Sequence, residues 1–190
     1  MPILGTYASQ FSGKSFGSFE SIATVTAGGG ESSLTFSSIP GTYKHLQIRG
    51  WHKAASTSGS YVNADMTFNS DNGNNYTYHL LRGNSFGVSA SGGDNTASGK
   101  PNLLGYANNS AYTNMVGVSI VDIIDYASTS KYKTTRTITA INNNATPSLF
   151  DLYSNLWLNT NAITTITITQ QGGYGGFFAG STFALYGIKG

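Results

Sequence analysis

The sequence contains no cysteine and no long apolar run, and each absence excludes a class of protein. Without cysteine, neither disulfide bonds nor thiolate metal sites can form. No uninterrupted apolar stretch approaches the roughly 20 residues that a membrane-spanning helix needs. The beginning, residues 1–5, lacks the basic residues and the apolar stretch of a signal peptide. We therefore expect a protein that is made in the cytoplasm, is not exported by the signal route and has no membrane contact.

Charged residues are also scarce. Asp, Glu, Lys and Arg make up 9% of the 190 residues, whereas roughly 25% is usual. The net charge of +2 and the lack of a Lys/Arg cluster argue against nucleic-acid binding. A surface built from Ser, Thr, Asn and Gly has little charge repulsion to resist association. The composition therefore favours a subunit that packs against neighbours, and an aromatic content of 13% argues against disorder.

What the sequence does contain is a series of strand signals separated by turn clusters. The clearest is segment 61–68, where alternate residues are apolar and share one face: Val62, Ala64, Met66 and Phe68. Further strands are predicted at 20–26, 34–36, 43–53, 76–81, 115–126, 132–141, 149–158, 162–170 and 181–188. The stretch 83–114, rich in Gly, Ser and Asn, predicts long loops with one or two short strands. Asn72-Gly73 predicts a tight hairpin turn, because Asn and Gly accept positive φ angles.

About eight to ten short strands without helices indicate an all-β fold, a single-domain antiparallel β-sandwich of jelly-roll-like topology. We assign residues 19–190 to this domain and residues 1–18 to an extended N-terminal arm. The arm is Gly-rich and polar, as a frayed end would be, or it orders on a neighbouring subunit through its two aromatic anchors, Phe11 and Phe16. The last strand is apolar on both faces, which predicts a central strand or one covered by a partner. From it, two residues are predicted at a subunit or capsid interface: Phe183 and Tyr186.

The sequence matches some catalytic motifs, but none has the neighbouring structure that its chemistry needs. Two G-x-S-x-G stretches, 13–17 and 83–87, match a hydrolase nucleophile elbow, but neither precedes a helical pattern. Asp122 and Asp125 stand three apart in a predicted strand and so point to opposite faces, which makes them a poor pair for glycoside hydrolysis. The histidines lack a carboxylate-rich partner segment and are expected at surface or interface positions: His45, His52 and His79. We predict no enzyme activity, no catalytic residue, no cofactor and no metal site.

Aromatic residues supply a positive signal. Nine are candidates for the surface, although core packing would account for most of them: Trp51, Tyr76, Tyr78, Tyr106, Tyr112, Tyr126, Tyr153, Trp157 and Tyr174. Tyr and Trp among Asn and Gln hold sugars, and they also anchor protein interfaces. We predict contact with a glycan or a protein partner at three of them: Trp51, Tyr106 and Tyr112.

Six segments in order cover most of the chain after residue 20 and carry a resemblance to a known family. They are SIATVT at 21–26, FSSIPGTYKHLQIR at 36–49, FNSDNGNNY at 68–76, DYAS at 125–128, LWLNTNAI at 156–163 and GSTFALYGIK at 180–189. Together they resemble small virion structural proteins of tailed bacteriophages, a family widespread in aquatic phages, while residues 83–112 depart from the pattern. The resemblance implies a particle component without catalytic residues.

Three hypotheses follow from the composition and the resemblance. The leading one is a capsid decoration or cement protein in the virion, a homotrimer that binds the major capsid protein or other virion proteins and stabilises the shell. The alternative is a tail-fibre or receptor-binding module that grips a host surface glycan. A small polysaccharide depolymerase is the third, and the lack of a paired carboxylate site disfavours it.

Overall fold

A computed structural model describes residues 18–96, 99–108, 110–142 and 148–190, and these residues form twelve β-strands and one short 3-10 turn. The predicted arm anchors Phe11 and Phe16 lie outside the described residues. The strands are β1 Phe19–Thr26, β2 Ser33–Phe36, β3 His45–Ala54, β4 Tyr61–Phe68, β5 Tyr76–Asn84, β6 Gly87–Thr96, β7 Asn102–Ala107, β8 Gly117–Ile123, β9 Lys133–Ile141, β10 Leu149–Trp157, β11 Ile166–Gln170 and β12 Thr182–Ile188. The 3-10 turn spans Ser110–Tyr112.

The strands predicted from alternation all form, because alternate apolar residues can be buried together only when the backbone is extended. Residues 83–114 contain the two further strands β6 and β7, and β6 is longer than expected, with ten residues. β6 pairs with β5 through a tight turn in which Asn84 Oδ1 accepts hydrogen bonds from the backbone N–H groups of Phe86 (2.8 Å) and Gly87 (3.1 Å). These side-chain bonds and the ladder with β5 give a polar, Gly-rich segment a regular strand conformation.

Eight strands form a jelly roll. One sheet has the order β1-β12-β3-β8 and the other has β2-β11-β4-β7, and every neighbouring pair within these sets is antiparallel. Each sheet therefore interleaves strands from both halves of the chain, which is the double Greek-key order of a jelly roll. The predicted all-β sandwich of jelly-roll type is confirmed.

Four additional strands enlarge the first sheet. β5 and β6 follow β4, β9 and β10 follow β8, and together they continue that sheet beyond β8 in the order β9-β10-β5-β6. We call the resulting eight-stranded sheet the larger sheet and β2-β11-β4-β7 the smaller sheet. The two join where Lys53 and Ala54 at the end of β3 pair in parallel with β7.

The main hydrophobic core lies between the two sheets. Both contribute alternate residues to it, including Leu46, Ile48, Val121, Phe183 and Leu185 from the larger sheet and Ala64, Met66, Phe68, Ile166 and Ile168 from the smaller sheet. Val62, Ala64, Met66 and Phe68 of β4 are all buried, as the alternation of segment 61–68 predicts. Because these residues point into the core, the residues between them point outward from each sheet.

The connection from β4 to β5 differs from the predicted hairpin. The positive φ angles fall on Asn69 (50°) and Ser70 (59°), before the Asn72-Gly73 pair. Asn69 is held there because its Oδ1 accepts hydrogen bonds from Thr164 N (2.9 Å) and Thr165 N (3.1 Å). β4 and β5 lie in different sheets, so this turn carries the chain across the sandwich.

Five of the nine candidate surface aromatics are buried, so a surface position is wrong for Tyr76, Tyr106, Tyr126, Tyr153 and Trp157. Burial is possible because most of their polar atoms have partners inside the fold. Trp157 Nε1 donates to Asp71 Oδ2 (2.8 Å), and Tyr76 OH donates to Asp71 O (2.9 Å). Both bonds go to Asp71 in the connection between β4 and β5, which is five residues from Tyr76 but 86 residues from Trp157 along the chain.

Candidate interaction surface

The outer face of the larger sheet presents apolar side chains to solvent. Successive side chains of a strand point to opposite faces, so the residues between the core positions point outward. Among the described residues, fourteen large apolar side chains are exposed, and eight of them lie on this one face: Trp51, Leu81, Val88, Val118, Ile120, Ile138, Phe150 and Leu152. The outward face of a solvated sheet is ordinarily polar, so this concentration requires an explanation.

The strand register aligns these residues in two adjacent rows across six strands. The first row runs through directly paired residues from β3 to β6: Trp51, Val118, Ala140, Phe150, Gly83 and Val88. The second row is parallel to it: Arg49, Ile120, Ile138, Leu152, Leu81 and Ala90. We call the apolar members of both rows the apolar band: Trp51, Leu81, Val88, Ala90, Val118, Ile120, Ile138, Ala140, Phe150 and Leu152.

A polar third row borders the apolar band. It contains Gln47, Asp122, Arg136, Ser154 and His79, again in direct register. Gln47 Nε2 donates to Asp122 Oδ1 (2.8 Å), and Arg136 Nη2 lies 3.5 Å from Asp122 Oδ2. The charges of this row therefore have partners within the sheet.

Shallow depressions indent the apolar band where small residues separate large ones. One of about 420 Å³ is lined by Trp51, Val118, Ile120 and Ile138, together with Gly50 and Tyr186 at its edge. A second, of about 440 Å³, is lined by Gly83, Val88, Ala140 and Phe150. The face thus alternates protruding rings with hollows, which suits interdigitation with another protein surface.

Of the two interface residues predicted on β12, Phe183 is fully buried and lies in the core. Its ring packs 5.8 Å from Phe177 and 5.7 Å from His52, so it cannot reach a neighbouring subunit, and the interface prediction is corrected. Tyr186 is partly buried on the outer face, with its ring 5.5 Å from the Arg49 guanidinium carbon. The alternation of β12 assigns the two residues to opposite faces, and β12 is the central strand that its two apolar faces predict.

The three predicted contact aromatics are not brought together. Trp51 is exposed in the apolar band, whereas Tyr106 is buried. Tyr106 stacks on Tyr112 at 5.1 Å between ring centroids, and the pair packs with Leu104, Ile141 and Leu149 in a second small core. The predicted contact with a glycan or a partner is therefore wrong for Tyr106, because no part of its side chain reaches solvent. Tyr112 is partly buried and supports that core.

Most residues of the apolar band were not among the residues singled out from the sequence. The available signal was the one used for β12, apolar residues on both faces of one strand. β8 shows it, since Val118 and Ile120 point outward while Val121 and Ile123 are buried. β10 shows it in part, with Phe150 and Leu152 outward and Tyr153 and Trp157 inward, whereas β9 does not, because its inner face is mostly Lys and Thr. The same criterion would therefore have found the members of the band on β8 and β10.

A polar cleft of about 450 Å³ lies between the start of β4 and the loop after β11, lined by Gly59, Ser60, Tyr61, Val62, Asn63, Gln171, Gly172 and Tyr174. The pairing of the two strands ends with Gln171 N donating to Asn63 O (2.8 Å), and Gly172 and Gly173, at φ 73° and 66°, then turn the chain away. The Tyr174 ring covers Gly172, where a Cβ atom would lie 2.4 Å from it. We call this site the Tyr61–Tyr174 cleft.

The Tyr61–Tyr174 cleft combines two phenol rings with two amide side chains. Tyr61 is 38% exposed, and Tyr174 packs partly on Ala54, Val62 and Ala107 beneath it. Asn63 Oδ1 is buried and has no hydrogen-bond partner within the described chain. Exposed rings with a flat apolar face, next to polar side chains, are the groups that bind a polyhydroxylated ring.

The carboxylates and histidines are dispersed. Asp122 points outward from β8, whereas Asp125 lies beyond the end of that strand, where it pairs with Lys131 (2.7 Å) and Lys44 (3.4 Å). Hydrogen bonding from Lys131 lowers the pKa of Asp125. The two aspartates therefore serve separate surface contacts. His45 Nδ1 accepts from Asp125 N (3.0 Å), and His79 is exposed in the polar third row.

His52 is fully buried, so its expected surface or interface position is wrong. It belongs to β3, whose alternation turns it inward between Phe177 and Phe183. Neither ring nitrogen has a hydrogen-bond partner among the residues that the structure describes, and burial lowers the pKa of His52 to about 3. The imidazole is therefore neutral in the folded protein at neutral pH.

Replacing His52 by Leu is expected to make the fold less sensitive to acid. The unfolded chain takes up a proton on this residue near pH 6.5, whereas the folded chain does so only near pH 3. The stability from the neutral imidazole is thus full above about pH 6.5 and is lost as the pH falls toward 3. Between pH 7 and pH 5, the wild type should lose about 2 kcal/mol more than the variant.

Urea unfolding of both proteins at the two pH values measures this difference. The control is His79→Gln, because His79 lies on the exposed face and its replacement should leave the wild-type pH dependence unchanged. If stability depended on pH equally in the wild type and in His52→Leu, the buried, neutral state of His52 would be contradicted.

Among the described residues, neither a metal site nor a membrane-spanning helix is found. Over the part of the chain that the structure describes, no group of three or more His, Asp or Glu residues is placed to hold a metal ion. The same part contains no helix of the length and apolar character needed to cross a membrane. Comparison with models of known protein families, with curated proteins and with solved structures found no match in any of the three.

Proposed function

We propose that this chain is a non-catalytic structural subunit of a bacteriophage virion, a capsid decoration or cement protein that binds the outer shell and stabilises it. The observation that carries the proposal is the apolar band, ten residues in two rows on one face of a sheet, which an assembled particle would cover with the shell or with another copy of this chain. Its partners would be the major capsid protein or other virion proteins, reached after synthesis in the host cytoplasm. The resemblance of the six sequence segments to virion structural proteins supports the same role.

The size of the apolar band supports an association function. Six strands spaced about 4.8 Å apart and two rows about 6.7 Å apart give an area of roughly 400 Å². Contiguous exposed patches of this order mark interaction sites in monomeric proteins. A particle subunit is the kind of protein in which such a surface is permanently covered, and the low charge of the chain leaves little repulsion to oppose it.

Location in the particle tests this proposal. Phage particles that encode the chain are expected to carry it on the capsid, in a copy number comparable to that of the shell protein. Cryo-electron microscopy of the intact particle measures the position, and quantitative mass spectrometry measures the copy number. Particles stripped of the chain should release their DNA at a lower temperature, and added purified chain should restore the wild-type value. Detection of the chain only at the tail tip would contradict the cement role.

A second candidate function, glycan binding by a tail-fibre or receptor-binding module, is favoured by the Tyr61–Tyr174 cleft. A sugar ring would stack on the exposed Tyr61 ring or on Tyr174, beside the polar residues Ser60 and Gln171 of the same cleft. Such an arrangement needs no catalytic residue and no metal. It uses a surface separate from the apolar band, so the two functions are tested separately.

Replacing Tyr61 or Tyr174 by Ala is expected to weaken binding to host surface polysaccharide about threefold to tenfold, since a stacked ring contributes about 0.5–1.5 kcal/mol. Glycan-array screening identifies the ligand, and titration calorimetry measures the change. The control is Tyr132→Ala, which removes an exposed ring of the same kind outside the cleft. A ligand whose affinity is unchanged by both cleft variants would exclude this site.

A further inference from the structure

We propose that the apolar band of one chain packs on the apolar band of a second copy, so that the protein forms a twofold dimer through its larger sheets. The inference deepens the proposed structural role and rests on the same band, but it concerns the isolated chain. The particle partner would then contact another part of the dimer. The partner is a second copy of the chain because the area of this face, the sizes of its residues and the positions of its charges are complementary to the same face of another copy.

The available area lies at the lower end of what a stable dimer buries. The two rows of the apolar band and the polar third row span about 20 Å along the strands, and the six strands from β3 to β6 that carry them span about 29 Å across. The product, roughly 580 Å², is close to the ~600 Å² per partner at the lower end of the standard range of stable interfaces. An apolar centre with a polar border is also the usual composition of such interfaces.

The order of residues in the first row is complementary in size to itself, and the second row brings apolar residues onto apolar residues. A twofold axis parallel to the strands, between β9 and β10, places each row on the same row of the second copy with the strand order reversed. In the first row, Ala140 then faces Phe150, Gly83 faces Val118 and Val88 faces Trp51. Small residues thus meet large ones, and the depression at Gly83 and Ala140 receives side chains of the second copy. In the second row, Ile138 faces Leu152 and Ile120 faces Leu81.

The same axis also matches the polar residues. In the third row, Asp122 of one copy faces His79 of the other, and Arg136 faces Ser154. Asp122 and Arg136 already pair within their own sheet, so burying the centre of the apolar band desolvates no unpaired carboxylate. Two sheets stacked face to face about 10 Å apart would repeat the packing found inside each sandwich.

The number of patches favours a dimer. A closed ring of three subunits needs two different complementary patches on each subunit, whereas one self-complementary patch closes as a twofold pair. Over the described surface, the exposed large apolar residues concentrate in one band. The homotrimer expected from the sequence would need a second patch, so the band favours two copies.

The mass of the purified full chain in solution tests the inference. Light scattering coupled to size-exclusion chromatography is expected to give twice the chain mass. Ile138→Lys and Leu152→Glu, each alone, should raise the dimer dissociation constant at least about 30-fold, because each buries a charge without a partner. Tyr132→Lys is the control, since Tyr132 is exposed outside the band and its replacement should leave the dimer intact. Circular dichroism should show that all variants remain folded.

Mixing the two band variants tests the pairing of the rows. In the proposed dimer, Lys at 138 of one chain meets Glu at 152 of the other, so an equimolar mixture should recover the dimer mass while each variant alone stays monomeric. A monomeric or trimeric wild type would overturn the inference, and so would a mixture that remains monomeric. These outcomes do not depend on where the chain lies in a particle, so they are distinguishable from failure of the cement proposal.

Discussion

Replacing Arg82 by Met is expected to lower the free energy of unfolding by about 3 to 5 kcal/mol, because it leaves a carboxylate buried without its partner. Asp151 is fully buried on the inner face of β10. Arg82 on β5 binds it with two hydrogen bonds, from Nε to Oδ1 (2.7 Å) and from Nη2 to Oδ2 (2.5 Å). Hydrogen bonding to Asp151 raises the pKa of Arg82, so the guanidinium remains charged over the ordinary pH range. Urea unfolding at neutral pH measures the loss.

Two further variants distinguish the effect of breaking this buried ion pair from the effect of removing any arginine that forms an ion pair. Arg136→Met removes an arginine whose side chain is 63% exposed and whose contact with Asp122 is 3.5 Å long, so the cost should stay below about 1 kcal/mol. The double variant Arg82→Met, Asp151→Leu should recover much of the stability lost in Arg82→Met, since it removes the uncompensated charge. A loss in Arg82→Met no larger than that in Arg136→Met would contradict the assigned role of the pair.

The Arg82–Asp151 pair matters for the interaction surface because it joins two strands that carry the apolar band. Arg82 and Asp151 point inward, while the neighbouring Leu81, Phe150 and Leu152 point outward. The inner faces of β9 and β10 are unusually polar, with buried Thr135, Thr137, Asp151 and Asn155. Two polar contacts join them to the rest of the protein, since Leu104 N donates to Thr139 Oγ1 (2.9 Å) and Asn155 Nδ2 donates to Gly99 O (2.9 Å).

Replacing Gly117 by Ala is expected to cost about 3 kcal/mol or more and to reduce the yield of folded protein. A Cβ atom at this position would lie 1.8 Å from Leu104 O and 2.6 Å from Gly105 Cα. Both are backbone atoms of β7, so the clash can be relieved only if the strands separate. Gly117 begins β8 of the larger sheet and β7 belongs to the smaller one, so the methyl group would force the two sheets apart at their junction.

Thermal unfolding and the soluble yield measure the effect of Gly117→Ala. The control is Gly41→Ala, at a glycine without a positive φ angle and with no atom within 4 Å of the added methyl group. It should change the free energy of unfolding by less than about 1 kcal/mol. If Gly117→Ala were as stable as this control, the close approach of β7 and β8 would be wrong.

The sequence by itself determined the fold class, the strand positions and much of the core. Alternation over a few consecutive residues depends only on neighbours along the chain, so segment 61–68 could be assigned to a strand with Val62, Ala64, Met66 and Phe68 inward. The same local signal placed β12 in the centre of a sheet, because it is apolar on both faces. The predicted position of Asp122 and Asp125 on opposite faces of one strand is wrong, because β8 ends at Ile123 and Asp125 lies beyond it.

Burial of individual aromatic and polar residues needed the tertiary structure. The buried Trp157 donates its indole N–H to Asp71, which is 86 residues away along the chain in the connection between β4 and β5. His52 and Phe183 are buried because two strands far apart in sequence pair as neighbours. A sequence reading has no access to such partners, since they are fixed by which strands come together.

Only the tertiary structure created the apolar band. Trp51 and Val88 belong to strands separated along the chain, and five consecutive strand pairings bring them into one row. A shift of one residue in any of these pairings would move a whole set of side chains to the opposite face, because side chains alternate with a period of two. Alternation is a local property of the sequence, whereas strand order and register depend on packing between distant segments. The sequence therefore determined which residues face outward on each strand, and the register decided that the apolar ones form a continuous surface.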